Sequence, residues 1–275
     1  MTGCSVFPLF FCATRWIEDS DVAKRLISIW ENIVKIVRFY EKMPKSKQPS
    51  SKSFLNVQQA VNDKLTVAKL QLFSFVADHF QPFLTAYQTD APMIPILYND
   101  LKKLVVELLS LIVKTEIIEK SKNICNIDLE NKENILPIKN INIGFAAEGT
   151  ISKLICSDML NLSELKTFRR ECLKFLVFSL NKLFEKSPIS NVLVKNASCL
   201  KPENLLSESD FNQLMMKSLL SYLVNCKVLD EPQSDNALRQ FNLFRRDDCK
   251  KNSDKITLFT MSKGRLDDLY FNQFH

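Results

Sequence analysis

Only four glycines occur among 275 residues. Glycine is the residue that lets a backbone adopt positive φ or approach a phosphate closely, so a chain nearly without it has little means of building certain structures. Gly-rich phosphate loops, tight β-hairpins and Rossmann turns are close to excluded. Hydrophobic residues make up 46% and charged residues 25%, an ordinary balance for a chain that buries a core. The length allows one large helical domain or two small ones. The expected fold is all-α: a multi-helix, bundle-like domain.

Apolar spacing supports this. Val22, Leu26, Ile29, Ile33, Val37 and Tyr40 recur at steps of three and four, which predicts a helix over 21–41 ended by Met43-Pro44. Residues 42–53 form a polar linker carrying Lys42, Lys45, Lys47 and Lys52 and no acid. A short helix is expected over 54–61 and a longer one over 65–87, where Pro82 should kink or shorten the last turn. Ile94, Leu97, Leu101, Leu104, Leu108 and Leu111 give the most regular seam, too short for a dimeric coiled coil and suited to antiparallel packing in a bundle.

Residues 121–147 change character. Asn stands at 123, 126, 131, 134, 140 and 142, and the stretch reads as a weakly ordered, irregular excursion with 141–145 extended. Helical pattern returns after Ser163, an expected N-cap, through Leu165, Phe168, Cys172, Leu176, Leu180 and Leu183. Short helices are expected after Ser187 and Lys201, then helices over 211–226 and 235–244. The division expected is a helical domain over 1–244 and a polar flexible tail over 245–275, with a short docking element at 265–271.

Net charge is +6, with an excess of +2 in residues 1–150 and +4 in 151–275. No strongly basic domain results, so binding to DNA is permitted by the balance but not argued by it. The eight cysteines are widely spaced without a Cys-x-x-Cys pair, as expected for buried or free thiols in a reducing compartment. Val6–Phe11 is apolar but short and interrupted by Pro8, so no signal peptide is expected, and no run approaches the ~18–20 apolar residues of a membrane span. The expected location is nucleus or cytoplasm.

Chemistry-bearing clusters are sparse. The only histidines are His79, on the apolar stripe of its helix, and His275. His79 reads as a satisfied core or boundary residue, and no metal site or cofactor is expected. Glu18-Asp19-Asp21, Asp247-Asp248 and Asp267-Asp268 pair carboxylates along the chain, but adjacent residues point apart, so solvated surface is the better reading. The linker lysines are the best local basic patch, able to neutralise phosphates without reading sequence, or else an ordinary solvated loop. Arg169-Arg170 and Arg245-Arg246 are weaker versions of the same pattern.

The segment Phe11-Cys12-Ala13-Thr14-Arg15-Trp16 enters the first helical stretch, followed in order by Ile29-Trp30, Pro44-Lys45-Ser46-Lys47, Ala68-Lys69-Leu70-Gln71 and Gln81-Pro82-Phe83-Leu84 with Gln88-Thr89-Asp90. Phe168-Arg169-Arg170-Glu171-Cys172, Glu185-Lys186-Ser187-Pro188 and Asn196-Ala197-Ser198-Cys199-Leu200 come after. In this order they resemble the helical insertion domain of hAT-superfamily transposases, over Cys12 to Phe244. That family has an RNase H-like core with two Asp residues before the insertion and one Glu after it. It also has a Cys-or-Asp-x-x-His element ahead of the Arg-Trp step. None has a counterpart here, and no Glu follows Glu231. The resemblance therefore implies a transposase-derived helical protein without catalysis, and no small-molecule substrate is identified from the sequence. Arg15 and Trp16 inherit the family's position near cut DNA, although Trp16 could equally pack against the first helix. Duplex DNA is one expected partner, met by Arg15, Trp16, Lys42, Lys45, Lys47 and Lys52. The alternatives are a scaffold that binds itself or another protein, and a functionless gene fragment.

Overall fold

A computed structural model describes residues 6–9, 19–207, 210–262 and 265–266. Arg15 and Trp16 lie outside the described residues, as do the side chains of Asp19 and Asp248 and both Asp267 and Asp268. Within them run thirteen α-helices: α1 (Asp19–Ser28), α2 (Trp30–Glu41), α3 (Lys52–Asn62), α4 (Thr66–Tyr87), α5 (Ile94–Ser110), α6 (Thr115–Lys120) and α7 (Phe145–Cys156), then α8 (Leu162–Lys186), α9 (Val192–Ala197), α10 (Pro202–Leu206), α11 (Asp210–Asn225), α12 (Glu231–Leu243) and α13 (Ser253–Ser262). No strand occurs among the described residues beyond one antiparallel bridge, Val113 to Ile135. The protein is all-α.

Contacts divide the chain into two compact units, residues 1–82 with 107–180 and residues 83–106 with 181–275. In the first unit, Phe168, Cys172, Leu176 and Leu180 of α8 are buried one helical turn apart, as their spacing predicts. Burying each such Phe or Leu side chain contributes about 1.5–3 kcal/mol. Helix α4 runs through Pro82 to Tyr87, where its pattern predicts the end. The expected helix over 21–41 is interrupted at Ile29, whose φ of −105° and ψ of 5° leave the helical range while its side chain is buried. No glycine or proline marks that break in the sequence.

The Asn-rich stretch departs most from expectation. It is irregular in path but not weakly ordered, because Ile124, Ile127, Leu129, Ile135, Ile141 and Ile143 are all buried. Its backbone is tied down by Lys114 N–H to the Asn134 carbonyl (3.0 Å), Leu136 N–H to Ile112 (2.8 Å) and Asn142 N–H to Leu111 (2.8 Å). The asparagines have local work. Asn123, Asn131 and Asn142 accept hydrogen bonds from the amides two residues on, and the Asn134 amide donates to the Asp128 carbonyl at 2.9 Å. Such Asx turns satisfy backbone groups that no helix reaches. The expected extension over 141–145 is not a strand, and Phe145 already opens α7.

Gly144 precedes α7 with φ of +87°, and a Cβ there would stand 2.7 Å from Cγ of Phe75. Both the backbone angle and the space require glycine. Elsewhere among the described residues positive φ is held without it. Asp158 and Lys227 hold positive φ after α7 and α11, where the Met159 amide reaches back to Leu154 and the Val228 amide to Leu223. The N-cap of α8 is Asn161, not Ser163: its side chain accepts from the Glu164 amide at 2.9 Å while Glu164 accepts from the Asn161 amide at 3.0 Å. This reciprocal pairing satisfies two amides at once, which Ser163 could not do from inside the first turn.

The second unit buries Cys199, Leu205, Met216, Leu219, Leu220, Phe241, Cys249 and Ile256 together. Buried Asn212 on α11 donates to the carbonyls of Asn204 (3.0 Å) and Cys199 (3.3 Å). Helix α12 begins at Glu231, earlier than its apolar pattern suggests, because Asp230 and Gln233 form a capping box. Residues 245–262 are not a flexible tail. A π-type turn over Phe244–Cys249 and α13 follow, and Cys249 and Ile256 bring both into the core. Arg245 spans the gap to α10, donating to the carbonyls of Leu205 and Ser207 beneath the Phe241 ring.

Candidate nucleic-acid interface

Of the sequence-selected site residues, the four linker lysines can be placed. Lys42 follows the last turn of α2, Lys45 and Lys47 bracket a single 3₁₀ turn, and Lys52 is the first residue of α3. The turn is built, not slack. Pro44, with φ of −52°, starts it; the Lys47 amide donates to the Pro44 carbonyl at 2.8 Å and Gln48 to Lys45 at 3.3 Å. The Gln48 side-chain amide then donates to the Met43 carbonyl at 2.8 Å and to Glu41 at 3.3 Å. Ser51 caps α3 by accepting from the Phe54 amide. The linker is thus stapled at both ends rather than mobile.

All four lysines are exposed. None makes an ion pair or hydrogen bond through its ammonium with another described residue. From residue 42 to residue 62 there is no acidic side chain. The flanking acids are already engaged: Glu41 accepts from Gln58 (2.9 Å) and Arg38 (2.7 Å), and Asp63 pairs with Lys69 at 2.8 Å. The hydrogen bond from Gln58, then that from Arg38, holds the Glu41 carboxyl below the usual carboxylate range. Between Glu41 and Asp63 the chain carries only positive side-chain charge, which favours anions along the linker.

Aromatic side chains stand beside these charges, a feature the sequence reading missed. Phe39 packs edge-on against Tyr40 with ring centroids 5.6 Å apart, and Tyr40 in turn against Phe54 at 5.6 Å. The signal was present in the helical spacing, because Lys35 and Phe39 of α2 and Lys42 at its C-cap fall on one stripe. All three are exposed.

Of the weaker basic pairs, Arg169 and Arg245 serve structure. Arg169 of α8 is largely buried and donates to both carboxylate oxygens of Glu148 on α7, at 2.9 and 2.6 Å. Arg246 is held by Asp247 at 2.8 and 2.9 Å, so that carboxylate is an ion-pair partner. Arg245 is used inside the second unit, as described above.

His79 is half-buried, its Nδ1 lying 3.0 Å from the Phe75 carbonyl and its ring edge-on to Phe75. Six described cysteines are free thiols; burial pushes Cys172 up to about 12 and Cys199 to about 11, out of reach of thiolate chemistry near neutrality. Among the described residues, no three His, Cys, Asp or Glu side chains gather as metal ligands would. No described helix is long and apolar enough to cross a membrane. Comparison with protein-family models, with characterised proteins and with solved structures finds no match to this chain.

Proposed function

We propose that the protein contacts DNA through its phosphate backbone, without reading sequence, and that the lysine linker between α2 and α3 makes the contact. The observation carrying this reading is the set of four exposed, unpaired lysines on an ordered turn with no competing acid between residues 42 and 62. Lysine ammonium groups neutralise phosphates as point charges, and a stapled turn presents them with less ordering entropy to lose on binding. Arg15 and Trp16 belong to the proposal through the hAT resemblance alone. The reading is of a transposase-derived, non-catalytic protein that acts where DNA is, in the nucleus.

The test is anisotropy of a labelled duplex at about 50 and about 150 mM salt, where each neutralised phosphate contributes a slope of about −0.9 in log affinity against log salt. Lys45→Glu with Lys47→Glu should weaken binding at least tenfold and flatten that slope by about two. Unchanged affinity in the double variant removes the linker from the interface. No binding by the parent chain at either salt favours the scaffold reading, which has its own support in the exposed Phe211 and Leu214, one turn apart on α11.

A further inference from the structure

Resting on that reading, we infer that the α2–α3 surface is built for an unpaired strand of DNA, with Phe39 as the stacking platform. A lysine cluster alone serves any polyanion. An exposed aromatic ring within the cluster narrows the choice, since only bases that are not already stacked inside a duplex offer a free π-face. Phe39 is 59% exposed, and the cations one turn before and after it, Lys35 and Lys42, are both exposed and unpaired. A base laid on the ring thus has phosphate partners on either side.

The ring is also held in place. Its edge contact with Tyr40, and that of Tyr40 with Phe54, form an aromatic chain from the surface of α2 to the first turn of α3. The interplanar angles of 72° and 83° are the edge-to-face arrangement that aromatic quadrupoles favour. Fixing the ring beforehand lowers the entropy lost when a base stacks. Tyr40 and Phe54 therefore act as positioning residues for Phe39, and the lysines of the 3₁₀ turn continue the phosphate track towards α3.

Exposure alone would not single out this ring. Phe178 on α8 is 60% exposed and also has lysines one turn away on both sides. There, however, Lys182 is engaged by Glu185 at 2.6 Å, and the same carboxylate takes Lys186 at 2.8 Å. At Phe39 neither Lys35 nor Lys42 is engaged by a described carboxylate.

The experiment uses the full chain with two probes, labelled oligothymidylate and a labelled duplex of equal length, at about 50 and about 150 mM salt. The parent chain should bind the single strand about tenfold more tightly than the duplex. Phe39→Ala should lower single-strand affinity about tenfold, the loss of one stacked base, and leave duplex affinity within about twofold. Phe39→Trp should keep the preference. If Phe39→Ala weakens neither probe, or both equally, while Lys45→Glu with Lys47→Glu still weakens the duplex, the stacking inference is overturned and the backbone reading stands. If the parent chain binds neither probe, both fall together. Binding to phosphatidylserine vesicles that Phe39→Ala abolishes, with no single-strand preference, also overturns the inference and assigns the ring to a lipid surface. Unchanged far-UV circular dichroism of the Phe39 variants shows that the ring is not needed for folding.

Discussion

The linker between α2 and α3 and the segment between α6 and α7 resemble each other as strings of residues. Both interrupt a helical pattern, both are polar, and both carry charge. The linker from residue 42 to residue 51 holds Met43 as its one large apolar side chain, and its lysines face solvent. The second stretch places six isoleucine and leucine side chains in the interior and ties its own backbone with asparagine. Irregular chain can therefore be core or surface, and apolar residues scattered without period decide which. Where they are buried, unpaired amides and carbonyls go in with them, and Asx turns become necessary. Where they are absent, a proline and one glutamine suffice to hold the turn.

The largest effect that sharpens this contrast is expected from Ile143→Ala, at a fully buried position. It should cost about 2–5 kcal/mol in chemical denaturation, by lost transfer energy and the cavity left behind. A cost below about 1 kcal/mol would mean that the segment is not part of the core, and the comparison would break. Next comes Gly144→Ala, expected to cost about 1–3 kcal/mol because the new Cβ meets Phe75 at a φ of +87°. Gly149→Ala is its internal control: nothing lies within 4 Å of the added carbon, so helix propensity should raise stability by up to about 1 kcal/mol. If the two glycine variants behave alike, the entry to α7 is not fixed as described. The smallest effect belongs to Lys45→Glu with Lys47→Glu, expected to move stability by no more than about 0.5 kcal/mol however strongly it alters binding. Unfolding of that variant would place the linker in the structural class.

Much of the helical frame could be read from spacing. The stripe of Phe168, Cys172, Leu176 and Leu180 on α8 and the seam of Leu101, Leu104, Leu108 and Leu111 are buried as their periods imply. Features resting on a few side-chain atoms were harder to see. The break at Ile29 has no local sequence marker. The capping pairs Asn161 with Glu164 and Asp230 with Gln233 shift helix starts away from where apolar period alone puts them. Helix α7 was hidden because the Asn-rich run before it masks where helix resumes. At the candidate site the lysines were legible from composition. Their freedom from ion pairs was not, since it depends on Gln58 and Arg38 occupying Glu41. Phe39 was obscured for a related reason: an aromatic on an amphipathic helix ordinarily reads as core.

The bridge between Val113 and Ile135, with the Asn142 amide on the Leu111 carbonyl, also bears on how the first unit assembles. These ties join positions far apart in sequence, so the entropy of closing the intervening loop is lost before any isoleucine in it is rewarded. The hairpin of α2 and α3 closes over shorter separations, Tyr40 to Phe54 and Glu41 to Gln58, so its loop-closure cost is smaller by a few tenths of a kcal/mol. The surface that contacts DNA in our proposal is thus shaped by contacts between near neighbours in sequence, whereas the asparagine segment is held by ties of longer range.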